Sequence, residues 1–242
     1  MSTAPTKKPP QIVAMGGGGF SMERIPLLDD YVLSLASRPL PRVCFVPTAS
    51  GDALGYIEKF RIAFRNRAET SHLALFSRGP ADLEEFLLSQ DIIYVGGGNT
   101  ANMLAIWRIH GVDRILRAAW RHGVILVGIS AGMICWFEAG VTDSFGPLAP
   151  LRDGLGFLPG SACPHFDGEA QRRPAYHSFV SKGFPSGIAA DDGAALHFVG
   201  RKLNCCVSSR ENASAYRIQN VDGKVVETPI PTRFLGVPKS TA

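Results

Sequence analysis

Short apolar runs alternate with longer amphipathic segments through the first half of the chain. The apolar runs predict strands at 12–15, 42–46, 72–76, 91–95 and 124–127. The amphipathic segments predict helices at 27–37, 54–68, 100–109, 112–122 and 131–138, with a break at Gly111. A strand–helix alternation of this kind builds a mostly parallel sheet with helices on both faces. The predicted fold class is therefore a three-layer α/β fold.

The pattern changes in the last third of the chain. A helix predicted at 168–182 precedes short predicted strands at 187–190, 194–199, 202–208, 215–219 and 224–227. Turn signals at Asp192-Gly193 and Asp222-Gly223 indicate antiparallel hairpins on the sheet edge near the C-terminus. The 242 residues suffice for one α/β domain with a large core but not for two. We expect a disordered tail over 1–10 and a single domain over 11–235.

The composition argues against several classes of protein. The net charge of +4 is spread along the chain, and its densest basic cluster (Arg61, Arg65 and Arg67) lacks the interleaved aromatics of a nucleic-acid site. The N-terminus has no apolar signal core, and the longest apolar stretch, 124–137, is shorter than the roughly 20 residues of a membrane span. The five cysteines form no CxxC zinc pattern or disulfide framework, which favours buried free thiols in a reducing cytoplasm. We expect a cytoplasmic protein without metal, cofactor, nucleic-acid partner or membrane partner.

The segment Gly128-Ile129-Ser130-Ala131-Gly132 follows a predicted strand and opens a predicted helix. This G-x-S-x-G pattern is typical of a nucleophile elbow, in which a strained turn exposes the serine oxygen and small neighbours allow close packing. The helix N-terminus also offers free N–H groups to a developing oxyanion. The alternative is an ordinary glycine-rich turn with a helix-capping serine. The pattern favours Ser130 as a nucleophile.

Two further glycine-rich loops follow predicted strands. The loop over 96–98 precedes a helix, and its N–H groups can complete an oxyanion hole with that of Ala131. A phosphate-binding loop or a plain tight turn is the alternative there. The loop over 16–19 lacks the Lys-Ser/Thr of a P-loop and the spacing of a dinucleotide fingerprint, so nucleotide binding is disfavoured. Parallel strands end at one edge, so the three loops should meet in one crevice.

A general base and a supporting acid can be sought among the histidines and aspartates. Of six histidines, His165 stands out, because it lies in a loop after an apolar segment and Pro164 stiffens the approach to it. The candidates for the acid that orients the imidazole are Asp191, Asp192 and Asp143. A plain hairpin turn remains the alternative for Asp192-Gly193. The residues alone leave the choice of acid open.

Four segments, in this order and at this spacing, resemble peptidase family S51, which includes peptidase E and cyanophycinase. They are Gly96-Gly97-Gly98-Asn99-Thr100, Gly128-Ile129-Ser130-Ala131-Gly132, Thr142-Asp143 and Pro164-His165-Phe166. The resemblance covers about residues 10 to 230 and implies a fold similar to class I glutamine amidotransferases, with serine replacing their cysteine. It implies that Ser130 attacks the peptide carbonyl and that His165 takes its proton.

The resemblance also implies roles for further residues. It implies that Asp192 or Asp143 is the acid, with Asp192 ranked first, and that Gly98 and Ala131 donate the oxyanion N–H groups. The family's arginine for an N-terminal aspartate aligns with Gln171, so strict aspartyl specificity is in question. The substrate-binding candidates are Asn99, Glu169, Arg172 and Arg173. Glu169 can hold a substrate's free amine or be a solvated charge at a helix start.

The function expected from these features is a metal-independent serine exopeptidase that acts on dipeptides or short peptides through an acyl-enzyme. A preference for N-terminal aspartate stays open. One alternative is a cyanophycinase-like hydrolase of β-aspartyl peptides, although the chain has no long insertion that would accommodate a polymer. Another is a non-catalytic module of the same fold that binds a small ligand. We expect a small peptide substrate as partner, and a monomer or homodimer.

Overall fold

Five adjacent parallel strands form one side of an eight-stranded sheet, out to its edge, in a computed structural model that describes residues 9–237. Two of its strands, β4 (Ile92–Val95) and β5 (Ile125–Ile129), are buried along their whole length, as expected for a sheet covered on both faces. Across the sheet the five parallel strands are β3 (Glu69–His72), β2 (Arg42–Val46), β4 (Ile92–Val95), β5 (Ile125–Ile129) and β1 (Gln11–Met15). The predicted tail over 1–10 falls largely on residues 1–8, which lie outside the described residues.

Three strands extend this sheet beyond β1. Strand β10 (Ala194–Val199) runs antiparallel to β1, and β11 (Lys202–Ser208) runs antiparallel to β10. Strand β14 (Thr232–Phe234) lies parallel to β11 at the edge. The antiparallel pairing of β10 and β11 agrees with the hairpins predicted near the C-terminus, but the turn predicted at Asp192-Gly193 joins no hairpin: it links β10 to β9 (Gly187–Ala190), which belongs to a different sheet.

A second sheet of six strands was not predicted. Its first strand, β6 (Phe137–Thr142), begins within the last two residues of the helix that the sequence predicted over 131–138, and only a four-residue helix over 131–134 precedes it. The hairpin of β12 (Ala215–Val221) and β13 (Lys224–Ile230) was predicted, but on the edge of a single sheet rather than in a second one. In spatial order the strands are β13 (Lys224–Ile230), β12 (Ala215–Val221), β9 (Gly187–Ala190), β8 (Leu158–Cys163), β6 (Phe137–Thr142) and β7 (Ala149–Leu151).

Helices cover both faces of the large sheet. One face packs against α1 (Leu27–Ser34) and α2 (Leu54–Phe64). The opposite face packs against four further helices and, toward β10, against the second sheet. These helices are α3 (Leu83–Leu88), α4 (Thr100–His110), α5 (Val112–Arg121) and α6 (Ala131–Ile134). The outer face of the second sheet packs against α7 (Arg172–Ser181). No helix in the described part of the chain is long and apolar enough to span a membrane.

Aromatic side chains make up much of the core under α1 and α2. Phe20 lies edge-on to Phe45 and Phe60, with ring centroids 5.4 Å away in both cases, while Phe45 and Phe60 stack at 4.9 Å. Aromatic pairs at such distances contribute about 0.5–1.5 kcal/mol each beyond their buried area. This cluster fixes the loop after β1, to which Phe20 belongs, against the ends of neighbouring strands.

Several predicted boundaries differ from the structure. The strand predicted at 72–76 lies instead at Glu69–His72, and the helix predicted to reach residue 68 ends at Phe64. That helix buries Ile57, Phe60 and Phe64, whereas Ile62 is 58% exposed. Helix α3 was not predicted, and α7 begins at Arg172 rather than at residue 168. The break at Gly111 is confirmed, with a left-handed φ of 72° between α4 and α5.

Candidate active site

Ser130 lies on the tight turn between β5 and α6, with φ 56° and ψ −110°. A positive φ is a strained conformation for a residue with a side chain. The glycines on either side are required by packing: a Cβ on Gly128 would lie 2.0 Å from the Gly132 oxygen, and one on Gly132 would lie 2.5 Å from the Val95 oxygen. The G-x-S-x-G sequence therefore folds into the strained strand–turn–helix geometry of a nucleophile elbow.

His165 follows β8 and also has a positive φ, of 53°. Its Nε2 lies 2.8 Å from the Ser130 hydroxyl oxygen, and its Nδ1 lies 2.6 Å from Asp192 Oδ1. With the proton on Nδ1, the imidazole donates to the carboxylate and accepts from the serine hydroxyl. The side chains of His165 and Asp192 are each 16% exposed. The structure thus brings together the serine, the histidine and the first-ranked acid of the sequence prediction.

Asp192 lies on the turn that joins β9 of the second sheet to β10 of the large sheet. The hydrogen bond with His165 lowers the pKa of the Asp192 carboxyl below its ordinary value, against the opposing effect of burial. The nearby cations of Arg210 and Arg172 lower this pKa further. The carboxylate is therefore ionised at neutral pH, which is the state needed to orient an imidazole and stabilise its protonated form.

The end of β1 holds all three loops that carry these side chains. Consecutive backbone carbonyls of Met15, Gly16 and Gly17 each accept one N–H group from a different loop. The donors are Ser130 (3.1 Å), His165 (3.2 Å) and Gly193 (3.0 Å). The sequence placed the glycine loop after β1 in one crevice with the Ser130 loop and disfavoured nucleotide binding there, but the scaffolding role of this loop was missed.

Two glycines leave room for the Asp192 carboxylate. A Cβ on Gly17 would lie 2.0 Å from Asp192 Oδ1 and 3.0 Å from His165 Nδ1. A Cβ on Gly168 would lie 2.2 Å from Asp192 Oδ2. The only sequence signal for Gly17 is a run of glycines at the end of a strand that becomes the neighbour of β5.

Backbone N–H groups of two predicted residues are available near Ser130. Within residues 9–237, the N–H groups of Gly98 and Ala131 have no hydrogen-bond acceptor. A Cβ on Gly97 would lie 3.7 Å from the Ser130 hydroxyl oxygen, so the loop of Gly98 adjoins the serine. Gly98 has φ 136°, and a Cβ there would lie 2.1 Å from the Ala49 oxygen. This loop therefore approaches the turn after β2 and Ser130 as only glycine-rich backbone can.

Asn99 has two local hydrogen bonds. Its side-chain oxygen accepts from the Asn102 N–H at 2.9 Å, which caps the start of α4. Its amide nitrogen donates to the Ser144 carbonyl at 3.0 Å. Asn99 thus ties the loop after β6 to the helix that begins beside Gly98, and both ends of its amide are engaged in this way.

Arg172 is 3% exposed and joins three acceptors. Its Nε donates to Glu169 Oε2 at 2.7 Å, its Nη1 donates to the Val141 carbonyl at 3.0 Å, and its Nη2 lies 3.8 Å from Asp143 Oδ2. The side chains of Asp143 and Glu169 are 59% and 47% exposed. Asp143, the second-ranked acid, therefore pairs with a buried arginine, whereas Asp192 is hydrogen-bonded to His165.

Arg173 packs against the second sheet. Its guanidinium lies 4.4 Å above the Phe166 ring and 4.9 Å above the Tyr216 ring, at distances typical of cation–π contacts. Its Nη1 also lies 2.5 Å from a Glu227 oxygen. Both arginines that the sequence proposed for substrate binding are therefore paired with carboxylates of the protein itself.

Metal-ligand clusters are absent from the described range. Within residues 9–237, no group of three or more His, Cys, Asp and Glu side chains is placed to hold a metal ion. The metal independence expected from the sequence stays a prediction.

Comparisons with known proteins agree with this architecture. The sequence model of peptidase family S51 matches residues 12–206. A Bacillus subtilis (strain 168) protein named uncharacterized peptidase YgaJ is 56% identical over 229 residues, which cover 93% of this chain and 99% of that one. Peptidase E of Pasteurella multocida (strain Pm70) is 24% identical over 194 residues, covering 76% of this chain and 81% of that one. Among solved structures, a peptidase from an acI-B1 actinobacterium superposes with a TM-score of 0.65 at 17% identity, covering 93% of this chain and 96% of that one.

The fold is thus a mixed α/β architecture that a solved peptidase shares. The chain belongs to peptidase family S51. Both the family resemblance and the fold class predicted from the sequence are confirmed, and family membership supports a peptidase function.

Proposed function

We propose that the protein is a serine-type exopeptidase that hydrolyses dipeptides or short peptides through an acyl-enzyme. The observation that carries this proposal is the continuous hydrogen-bonded chain from Ser130 through His165 to Asp192, with distances of 2.8 and 2.6 Å. A base within 3.2 Å of the nucleophile, itself oriented by a third group, is the arrangement that activates a serine hydroxyl.

The proposed reaction begins with attack of the Ser130 oxygen on the peptide carbonyl while His165 Nε2 takes the hydroxyl proton. The N–H groups of Gly98 and Ala131 donate to the oxyanion of the tetrahedral intermediate, and Asp192 stabilises the imidazolium. As the C–N bond breaks, His165 passes its proton to the leaving amine. Water, activated by the same imidazole, then hydrolyses the ester and restores Ser130.

Recognition of the peptide amino terminus is proposed for the carboxylates that flank Arg172. Asp143 and Glu169 are about half exposed, and together they exceed the single positive charge of the arginine they contact. An ammonium group would balance the remaining negative charge. Because Arg172 and Arg173 are paired with carboxylates, we propose amine recognition and no strong preference for an N-terminal aspartate side chain.

The test is a dipeptide library in which the N-terminal residue is varied, assayed with the wild type and with Ser130→Ala. In Ser130→Ala, turnover should fall by a factor of about 10⁶, since removing the nucleophile disables the serine, histidine and acid together. Ser181→Ala, which changes an exposed serine on α7, is the matched control and should retain wild-type turnover. Undiminished hydrolysis by the Ser130 variant would overturn the proposal.

Two further measurements separate the alternatives. Covalent labelling of Ser130 by a fluorophosphonate, located by mass spectrometry, is expected if His165 activates the hydroxyl. Absence of both labelling and turnover would favour a non-catalytic binding module. Release of dipeptides from an Asp-Arg polymer, without cleavage of ordinary dipeptides, would favour the cyanophycinase-like alternative.

A further inference from the structure

The carboxylate of Asp167 joins the two loops that carry His165 and Asp192. Asp167 lies two residues after His165, and its Oδ1 accepts the backbone N–H of Asp192 at 2.8 Å. This contact holds the backbone of the residue that supplies the acid, while the Asp192 side chain reaches back to His165 at 2.6 Å. The Asp167 carboxylate therefore completes a closed ring of contacts that includes both His165 and Asp192.

Arg210 binds the other carboxylate oxygen of Asp167, the one that does not accept the Asp192 N–H. Its guanidinium contacts Asp167 Oδ2, and its positive charge also lowers the pKa of Asp192. The aliphatic part of Arg210 lies across the same turn, since a Cβ on Gly193 would lie 3.0 Å from Arg210 Cγ. Gly193 itself has φ 79°, so the turn adopts a conformation that favours glycine. The arginine therefore contacts both the carboxylate and the turn.

We propose that Asp167 and Arg210 are positioning residues that hold Asp192 in register with the His165 imidazole. The inference rests on the proposed function, because it gives these residues a role in the same reaction. A surface ion pair of this exposure ordinarily contributes little to stability. Here the acceptor oxygen binds the backbone of the acid itself, and a displacement of about 1 Å in such a group lowers rates about 100-fold.

Asp167→Ala is the principal variant, and Asp167→Asn is its conservative counterpart, because an amide oxygen can still accept the Asp192 N–H. Asp153→Ala is the matched control: it breaks another exposed ion pair, Arg108–Asp153, at the far end of α4. The expected result for Asp167→Ala is a kcat lowered about 10- to 100-fold with KM nearly unchanged, as for other groups that orient a reacting side chain. Asp167→Asn should recover most of this loss, and the control should retain wild-type kcat.

Arg210→Ala tests the same positioning role, because its exposed side chain can be removed with little risk to folding. This variant should also lower kcat, and Arg210→Lys should restore part of that loss. A readout independent of turnover is the downfield proton resonance of the His165–Asp192 hydrogen bond, identified by its absence in His165→Gln. This resonance should shift or disappear in Asp167→Ala and persist in Asp153→Ala.

Two results would overturn the inference: wild-type kcat in both Ala variants at this pair, or an unchanged downfield resonance in Asp167→Ala. These results differ from those expected if the proposed function is wrong. In that case Ser130→Ala would retain hydrolysis, while the downfield resonance would still report whether Asp167 holds Asp192.

Discussion

Replacement of Gly17 by alanine tests how the end of β1 positions the proposed site. The new Cβ would lie 2.0 Å from Asp192 Oδ1, whereas ordinary van der Waals contact begins at 3.4 Å. The carboxylate oxygen must therefore recede by about 1.4 Å, because Gly17 is fixed by the bond between its carbonyl and the Gly193 N–H. Because the new Cβ would also lie 3.0 Å from His165 Nδ1, the oxygen recedes nearly at right angles to the hydrogen bond, so its distance from Nδ1, now 2.6 Å, would lengthen to about 3.2 Å with poor alignment.

The catalytic effect follows from that displacement. A misplacement of about 1 Å lowers rates about 100-fold, and complete loss of the orienting acid in a Ser–His–acid site lowers kcat about 10⁴-fold. We therefore expect Gly17→Ala to lower kcat by a factor of about 10² to 10⁴. KM should change little, since the carboxylate acts on the imidazole rather than on the bound peptide.

The assay is steady-state hydrolysis of the best dipeptide substrate, with thermal unfolding and circular dichroism recorded on the same samples. Gly55→Ala is the matched control, because a Cβ on Gly55 meets nothing within 4 Å. Gly55 lies in α2, so alanine there should stabilise the protein by about 0.5–1 kcal/mol and leave kcat unchanged. A folded Gly17→Ala protein with wild-type kcat would refute the assignment of Asp192 as the orienting acid.

Two further predictions concern other carboxylates. Asp192→Asn should lower kcat about 10⁴-fold, while Asp143→Asn should leave kcat near the wild-type value and raise KM, because its carboxylate is proposed to bind the peptide amine; the reverse order of kcat in steady-state assays would exchange their roles. Burial raises the pKa of Asp29 to about 7, so between about pH 4 and pH 7 the folded state retains a proton that the unfolded state has lost. The free energy of unfolding should therefore fall by as much as about 4 kcal/mol across that range and then level off. Asp29→Asn should remove this slope in urea titrations, and an unchanged slope would contradict the account.

Features set by local sequence were predictable. The strand Arg42–Val46 has the predicted bounds, because Pro41 and Pro47 lie on either side of a short apolar run. The separation of α4 from α5 was predicted because Gly111 adopts a left-handed conformation that ends a helix. The elbow at Ser130 was also predictable, since its glycines and the preceding strand are adjacent in sequence.

The second sheet was not predictable from the same signals. Residues 131–138 are almost continuously apolar, and a short apolar run of this kind does not distinguish a buried helix from a strand. In the structure the chain turns after Ile134, and Phe137 begins β6, which pairs with β8. Pairing with a strand some twenty residues later thus decides a choice that local periodicity leaves open.

The partners of the two predicted arginines could not be foreseen for a similar reason. The sequence places Arg172 and Arg173 beside the histidine loop but gives no sign of their partners. Arg172 is buried against the carbonyl of Val141, and Arg173 reaches Glu227, 54 residues further along the chain. Whether an arginine near a proposed site in sequence has a partner within the protein depends on tertiary contacts, and here both arginines have one.

The proposed site depends on how the two sheets fit together. Ser130 follows a strand of the large sheet, His165 follows a strand of the second sheet, and Asp192 lies on the segment that passes between them. Side chains of both sheets, including Leu196 and Ile188, belong to one buried cluster. The end of β1 is hydrogen-bonded to all three loops. The packing of that cluster therefore determines the 2.6 and 2.8 Å distances from the imidazole to Asp192 and Ser130. Substitutions in the cluster that leave the protein folded can therefore change kcat without touching the site.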